Sequence, residues 1–192
     1  MTQELEIEYK NLLTIDEFHS VMKFLNLSPS DFLTQKNHYF DTPDFSLKNR
    51  QSALRIREKQ NKFTLTLKQP QSIGLLETHQ SLTKDQASSL INGATNIQDQ
   101  IAVIIDDLGI NPSELQYFGT LETSRAEVPY KNGLLVLDHS FYLSVEDFEL
   151  EYEVEDAEVG LKDFHEFLTQ LHIPIRHTKN KIQRLYHQLN HK

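Results

Sequence analysis

Glu6-Ile7-Glu8-Tyr9-Lys10 sets two carboxylates and an ammonium on one face of a strand, because successive side chains of extended backbone point to opposite sides. Glu4 joins that row, while Leu5, Ile7 and Tyr9 form the other. Phe148-Glu149-Leu150-Glu151-Tyr152-Glu153-Val154-Glu155 repeats the alternation with acids alone, and Leu54-Arg55-Ile56-Arg57-Glu58-Lys59 repeats it with mostly the opposite sign. Like charges stacked along a strand face repel one another unless opposite charge lies in front of them. Cations before the acidic rows and an anion before the basic one relieve both, and a metal-bound polyphosphate supplies the two together.

Strand patterns cover 4–11, 35–41, 52–60, 62–69, 74–82, 115–128, 134–140 and 148–155. Thr14-Ile15-Asp16-Glu17 is a capping box that opens a helix, and Thr83 with Gln86 caps a second. Further helices are expected over 99–108, 163–171 and 181–189, the last capped by Asn180. Asn61 leaves its two flanking strands as a hairpin, and Asn132-Gly133 predicts another hairpin turn. Amphipathic helices need an apolar surface, which the Leu, Ile and Phe faces of the strands offer. With helices outside, the charged faces point inward. The expected fold is α+β: a closed or nearly closed antiparallel eight-stranded barrel with helices packed on the outside, a size that can hold a small ligand.

At 192 residues, with 38% hydrophobic and 24% charged content, the chain is expected to be a single globular domain over 1–192. It contains no cysteine, which excludes disulfides and thiol chemistry and suits a reducing compartment. No apolar run reaches membrane-spanning length, and Met1-Thr2-Gln3-Glu4 is acidic where a signal peptide is basic. The cytoplasm is the expected location. A net charge of −9 argues against nucleic acid as a partner, so any anion must be held by a local cluster of Lys and Arg.

Two plainer accounts compete. Antiparallel sheets commonly show water a charged face, yet a solvated face mixes signs between neighbours, and several strands here carry one sign in sequence. The other account is a purely structural salt-bridge network, which makes an inefficient core because desolvation offsets the attraction of buried ion pairs. Other chemistries lack their motifs: no phosphate-binding G-x-x-x-x-G-K-[ST] loop, no G-x-S-x-G and no H-E-x-x-H occurs. His187 and His191 read as solvated residues of the last helix.

Hard cations such as Mg²⁺ and Mn²⁺ take oxygen ligands from carboxylates and substrate phosphates. Glu6, Glu8, Asp138, Glu149 and Glu151 are therefore the metal-site candidates. Arg55 and Arg57 carry planar donors suited to phosphate oxygens, and Lys10, Lys68, Arg125, Lys181 and Arg184 complete the ring.

These motifs together resemble the CYTH family, the triphosphate tunnel metalloenzymes, and most closely its small bacterial single-domain branch. Glu6-Ile7-Glu8-Tyr9-Lys10 is similar to its ExExK signature. Tyr39-Phe40-Asp41-Thr42, Leu54-Arg55-Ile56-Arg57, Thr66-Leu67-Lys68, Arg125, Asp138, Glu149-Leu150-Glu151 and Asn180-Lys181-Ile182-Gln183-Arg184 follow in the family's order. Asn180 stands where the family has Ser. The resemblance implies the same metal and phosphate residues, with Lys10, Glu6 and Glu8 at the reaction centre and Mg²⁺ or Mn²⁺ as cofactor. It implies hydrolysis of a triphosphate, inorganic tripolyphosphate first. A class IV adenylate cyclase acting on ATP, or a thiamine triphosphatase, is the alternative. A non-catalytic polyphosphate or nucleotide binder is a further reading. Neither a membrane nor nucleic acid is expected as partner, and the protein is read as a monomer or homodimer.

Overall fold

The alternation read in each strand separates two chemically distinct faces. The computed structural model describes residues 1–94, 97 and 99–189. Its strands are β1 (Thr2–Leu13), β2 (Leu33–Asp41), β3 (Ala53–Lys59), β4 (Lys62–Pro70), β5 (Leu75–Leu82), β6 (Gln116–Tyr130), β7 (Gly133–Tyr142) and β8 (Val145–Val154). The helices among the described residues are α1 (Ile15–Phe24), α2 (Ser46–Asn49), α3 (Lys84–Ile91), α4 (Asp99–Asp107), α5 (Ala157–Gln170) and α6 (Lys181–Leu189). The strands pair in the order β1-β5-β4-β3-β2-β6-β7-β8 and close into an antiparallel barrel with the helices outside.

Two compact units make up the chain, one of Met1–Leu5 with Lys36–Thr120, the other of Glu6–Gln35 with Leu121–Lys192. In the first, Leu54 and Ile56 of β3 and Leu65 and Leu67 of β4 are buried against Ala87 and Leu90 of α3 and Ile101 and Ile105 of α4. In the second, Leu135 and Leu137 of β7 and Leu150 and Tyr152 of β8 pack on Phe18 and Val21 of α1 and on Phe164, Phe167 and Leu168 of α5. Each large apolar side chain among these contributes about 2 kcal/mol on burial, so β3, β4, β7 and β8 are fixed with their apolar faces to the helices and their charged faces turned away from them.

Three local features differ from the sequence reading. Helix α5 begins at Ala157 rather than 163, because the Asp156 side chain caps it, accepting from the Val159 amide at 3.0 Å. Helix α2 was not foreseen; buried Asp41 nucleates it by accepting from the amides of Leu47 (2.9 Å) and Lys48 (3.1 Å). The β6–β7 turn is Lys131-Asn132, one residue earlier than expected, with Lys131 at φ 48° and Tyr130 paired with Gly133. Gly133 is required for a different reason. A Cβ there would lie 2.5 Å from the Glu153 carbonyl oxygen and 2.7 Å from the Tyr152 ring.

Candidate metal and phosphate site

In the second unit, strand register aligns the ionisable rows. Arg125 of β6 lies opposite Asp138 of β7, Asp138 opposite Glu149 of β8, and Glu151 of β8 opposite Lys10 of β1. Arg125 grips Asp138 with two parallel bonds, Nε to Oδ1 at 2.7 Å and Nη2 to Oδ2 at 2.6 Å, and reaches Glu151 at 2.8 Å. From the outside, α6 delivers Lys181, whose Nζ touches Glu149 and lies 2.8 Å from Asp138 and 2.7 Å from Glu151. One turn on, Arg184 donates from Nη1 to Glu149 at 2.5 Å and from Nη2 to Asp147 at 3.3 Å. Lys10 donates to Glu8 along its own strand face.

Asp138 and Glu149 are fully buried and Glu151 is 5% exposed, so each must be compensated. Burial pushes the Glu149 carboxyl up to about 7, with the Glu151 charge beside it adding to that and Lys181 opposing it. For Glu151, burial is outweighed by Lys181, Arg125 and Lys10, which hold it well below the usual carboxylate range. Asp138 is likewise held down by Arg125 and Lys181 against its burial. Burial alone would lower the Lys10 and Lys181 ammoniums; the surrounding carboxylates reverse this and hold both above their ordinary value.

The first unit holds a second charged set. Lys68 of β4 lies opposite Glu77 of β5 and is ion-paired with it. Arg55 of β3 approaches the same carboxylate at 3.8 Å. His79 Nε2 lies 3.0 Å from Glu4 and 3.5 Å from Glu77, and its Nδ1 is 3.0 Å from the Thr66 hydroxyl. Arg57 Nε donates to the buried amide of Asn37 at 3.1 Å.

Of the residues predicted from sequence, Lys10, Arg125, Asp138, Glu149, Glu151, Lys181 and Arg184 thus gather within the second unit. Glu6 and Glu8 lie on the same β1 face as Lys10, each half-buried. Arg55 and Lys68 meet in the first unit at Glu77, and Arg57 lies on the same face of β3 as Arg55. Sequence reading missed Glu77, Asn37 and Asp147 as members of these sets. Glu77 carried a signal, as a carboxylate on the polar face of its strand, but its partners follow only from the β4–β5 register. His191 lies outside the described residues.

Carboxylate oxygens of Asp138, Glu149 and Glu151 lie within 4.8 Å of one another. Three converging hard-oxygen donors on adjacent strands fit a divalent cation of the Mg²⁺ or Mn²⁺ class. Glu4, Glu77 and His79 also offer ligand atoms within 4.8 Å of one another, with Glu77 paired to Lys68 and Arg55.

Comparison with known proteins bears on the family of the chain. The CYTH domain family model matches residues 4–186. The chain is 47% identical over 188 residues to "Putative triphosphatase YjbK" of Bacillus subtilis (strain 168), covering 98% of this chain and 97% of that protein. A "putative adenylate cyclase" from Bacillus halodurans, known from a crystal structure, superposes with a TM-score of 0.93 at 45% identity, over 97% of this chain and all of that one. HpAC1 of Hippeastrum, an adenylyl cyclase by name that is described as having a dominant triphosphatase activity, shares the fold at a TM-score of 0.79 and 22% identity, over 96% of each chain. A family match over nearly the whole length, with a relative this similar end to end, means that the chain belongs to the CYTH family.

Proposed function

We propose that this protein is a divalent-metal-dependent hydrolase of triphosphate substrates, with inorganic tripolyphosphate as the first candidate. The observation that carries this reading is the buried cradle of Asp138, Glu149 and Glu151 set among Lys181, Arg125, Arg184 and Lys10. Glu6 and Glu8 would extend that cradle, and a divalent ion held there supplies Lewis-acid neutralisation of phosphate oxygens. Phosphoryl transfer otherwise needs positioning and charge stabilisation more than covalent machinery. Arg125, Lys181 and Arg184 would provide forked and point donors for the phosphate chain, and Arg55, Arg57 and Lys68 carry the same donor chemistry in the first unit. Lys10, or the Glu8 carboxylate bonded to it, would orient the attacking water. The names of the relatives support triphosphate chemistry, and they also keep a cyclase in view.

Among the described residues no helix is long and apolar enough to cross a membrane. A cytoplasmic site of action rests on the cysteine-free composition. The test is a substrate panel of tripolyphosphate, thiamine triphosphate, ATP and GTP with Mg²⁺ or Mn²⁺, measuring both orthophosphate and cyclic nucleotide. Steady orthophosphate release from tripolyphosphate is expected, and Glu6→Gln should lower it at least about 100-fold while leaving the circular dichroism spectrum unchanged. Cyclic AMP as the main product establishes the cyclase instead. Thermal stabilisation by tripolyphosphate without turnover establishes a binder.

A further inference from the structure

Lys181 and Arg184 reach the acidic cradle from α6, and α6 enters the second unit through an irregular segment, residues 174–180. Nothing in regular secondary structure holds that segment, yet its polar groups are bonded in detail to the end of β1 and the start of α1. Asn11, on the apolar side of β1 between Tyr9 and Leu13, is fully buried. Its Oδ1 accepts from the Arg176 amide at 2.6 Å and its Nδ2 donates to the Pro174 carbonyl at 3.1 Å. The Leu12 amide donates to the Thr178 hydroxyl at 2.9 Å, and the Leu12 carbonyl accepts from Arg176 Nη1 at 2.8 Å. The Arg176 guanidinium closes the arrangement with a two-pronged bond to Glu17, both contacts at 2.8 Å. Glu17 is itself fixed, because it accepts from the Thr14 amide at 2.7 Å in the α1 capping box.

We infer that Asn11, Glu17 and Arg176 form a latch that sets how far Lys181 and Arg184 reach along the acidic row, which makes Arg176 a positioning residue for the site. The inference rests on the function proposed above for that site. Several features carry it. Arg176 lies five residues before Lys181, too near for the segment between to absorb a displacement of an ångström without passing it on. The far end of the same segment is tied by Arg184, whose Nη1 also donates to the Lys179 carbonyl at 2.6 Å. Helix α6 has nine residues, short enough to be marginal without its docking contacts. Its buried Ile182, Leu185 and Tyr186 fix which face turns inward. The latch adds the position along the row, and a misplacement of about 1 Å at such a site costs up to about 100-fold in rate. Three hydrogen bonds from one guanidinium in fixed geometry are a specification that lysine cannot reproduce.

The test compares the wild type with Arg176→Ala and Arg176→Lys, reading amide hydrogen exchange over 181–189 and steady-state kinetics on tripolyphosphate with Mn²⁺. Arg176→Ala should speed exchange in that helix at least about 10-fold and lower kcat/KM at least about 10-fold, with most of the loss in KM. Arg176→Lys should fall between. A merely structural role would reduce the folded fraction, which lowers apparent kcat and leaves KM unmoved. If Arg176→Ala does not fold, Glu17→Gln, which removes the charge from the other side of the pair, takes its place. Unchanged exchange over 181–189 overturns the latch. Faster exchange with unchanged kcat/KM overturns the positioning role. A wild type that turns over no triphosphate overturns the proposed reaction only; calorimetric affinity for tripolyphosphate then replaces kcat/KM, so that unchanged exchange still overturns the latch and unchanged affinity overturns the positioning role.

Discussion

Glu77 is 3% exposed and is shared by Lys68 and Arg55. A charge buried to this extent is tolerated only with its partners, and removing one member leaves the others uncompensated. Glu77→Ala should therefore destabilise the protein by about 3 kcal/mol, read as a lowered urea midpoint at unchanged slope; a loss within about 0.5 kcal/mol would place the carboxylate in effective contact with solvent. Glu77 also marks how far single residues were legible. The acids of β8, Asp138 and Lys181 could be named from sequence because alternation fixes their face and the order of motifs fixes their company. What Glu77 does depends on its standing opposite Lys68, and register is set by turn geometry and by which face is buried, neither of which a charge pattern records. Asn11 is a parallel case: it interrupts the row of Leu5, Ile7, Tyr9 and Leu13, and the interruption acquires meaning only once residues 174–178 are seen bonded to it.

Helix α5 and strand β8 show what the next scale adds. A Cβ at Gly160 would stand 2.5 Å from Cγ2 and 2.9 Å from Cγ1 of Val154, so the glycine is there to let the helix approach the sheet. Alanine at a helical glycine gains about 1 kcal/mol of intrinsic propensity, while overpacking a close contact costs about 1–3 kcal/mol. The steric term should win: Gly160→Ala is expected to lose about 1 kcal/mol net, and Val154→Ala in the same chain should recover most of it, since touching residues are not additive. Equal losses in the two backgrounds, measured by urea unfolding, would dissociate the glycine from the valine. The eight strands and the five longer helices were legible as elements, because period-2 and period-3.6 patterns are long in this chain, while the four-residue α2 was not. Boundaries were less so where a side chain outside the periodic run made the decision. Asp156 starts α5 two turns early, Asp41 folds the four residues of α2, and Lys131 takes the left-handed turn position beside an Asn-Gly pair that signals the turn one residue later.

Three strands belong to both compact units: β1 contributes residues 2–5 to the first and 6–13 to the second, β2 contributes 36–41 to the first and 33–35 to the second, and β6 divides after Thr120. Closure of the sheet was legible, because eight alternating strands with one charged face leave no edge to protect; whether the chain is one folding unit is a separate matter of energetics. A strand that frays halfway exposes unpaired amides and carbonyls on the part that remains, so neither unit can melt at leisure while the other keeps its share of β1, β2 and β6. We expect 1–192 to unfold as one domain, in a single thermal transition whose calorimetric and van't Hoff enthalpies agree. For a chain of this length 1 kcal/mol moves the midpoint by about 2–4 °C. Glu77→Ala in the first unit should then lower it by about 6–12 °C and Gly160→Ala in the second by about 2–4 °C, each displacing the whole transition. Two resolved transitions, with each substitution moving only one of them, would separate the units into independently folding domains and remove the argument from the shared strands.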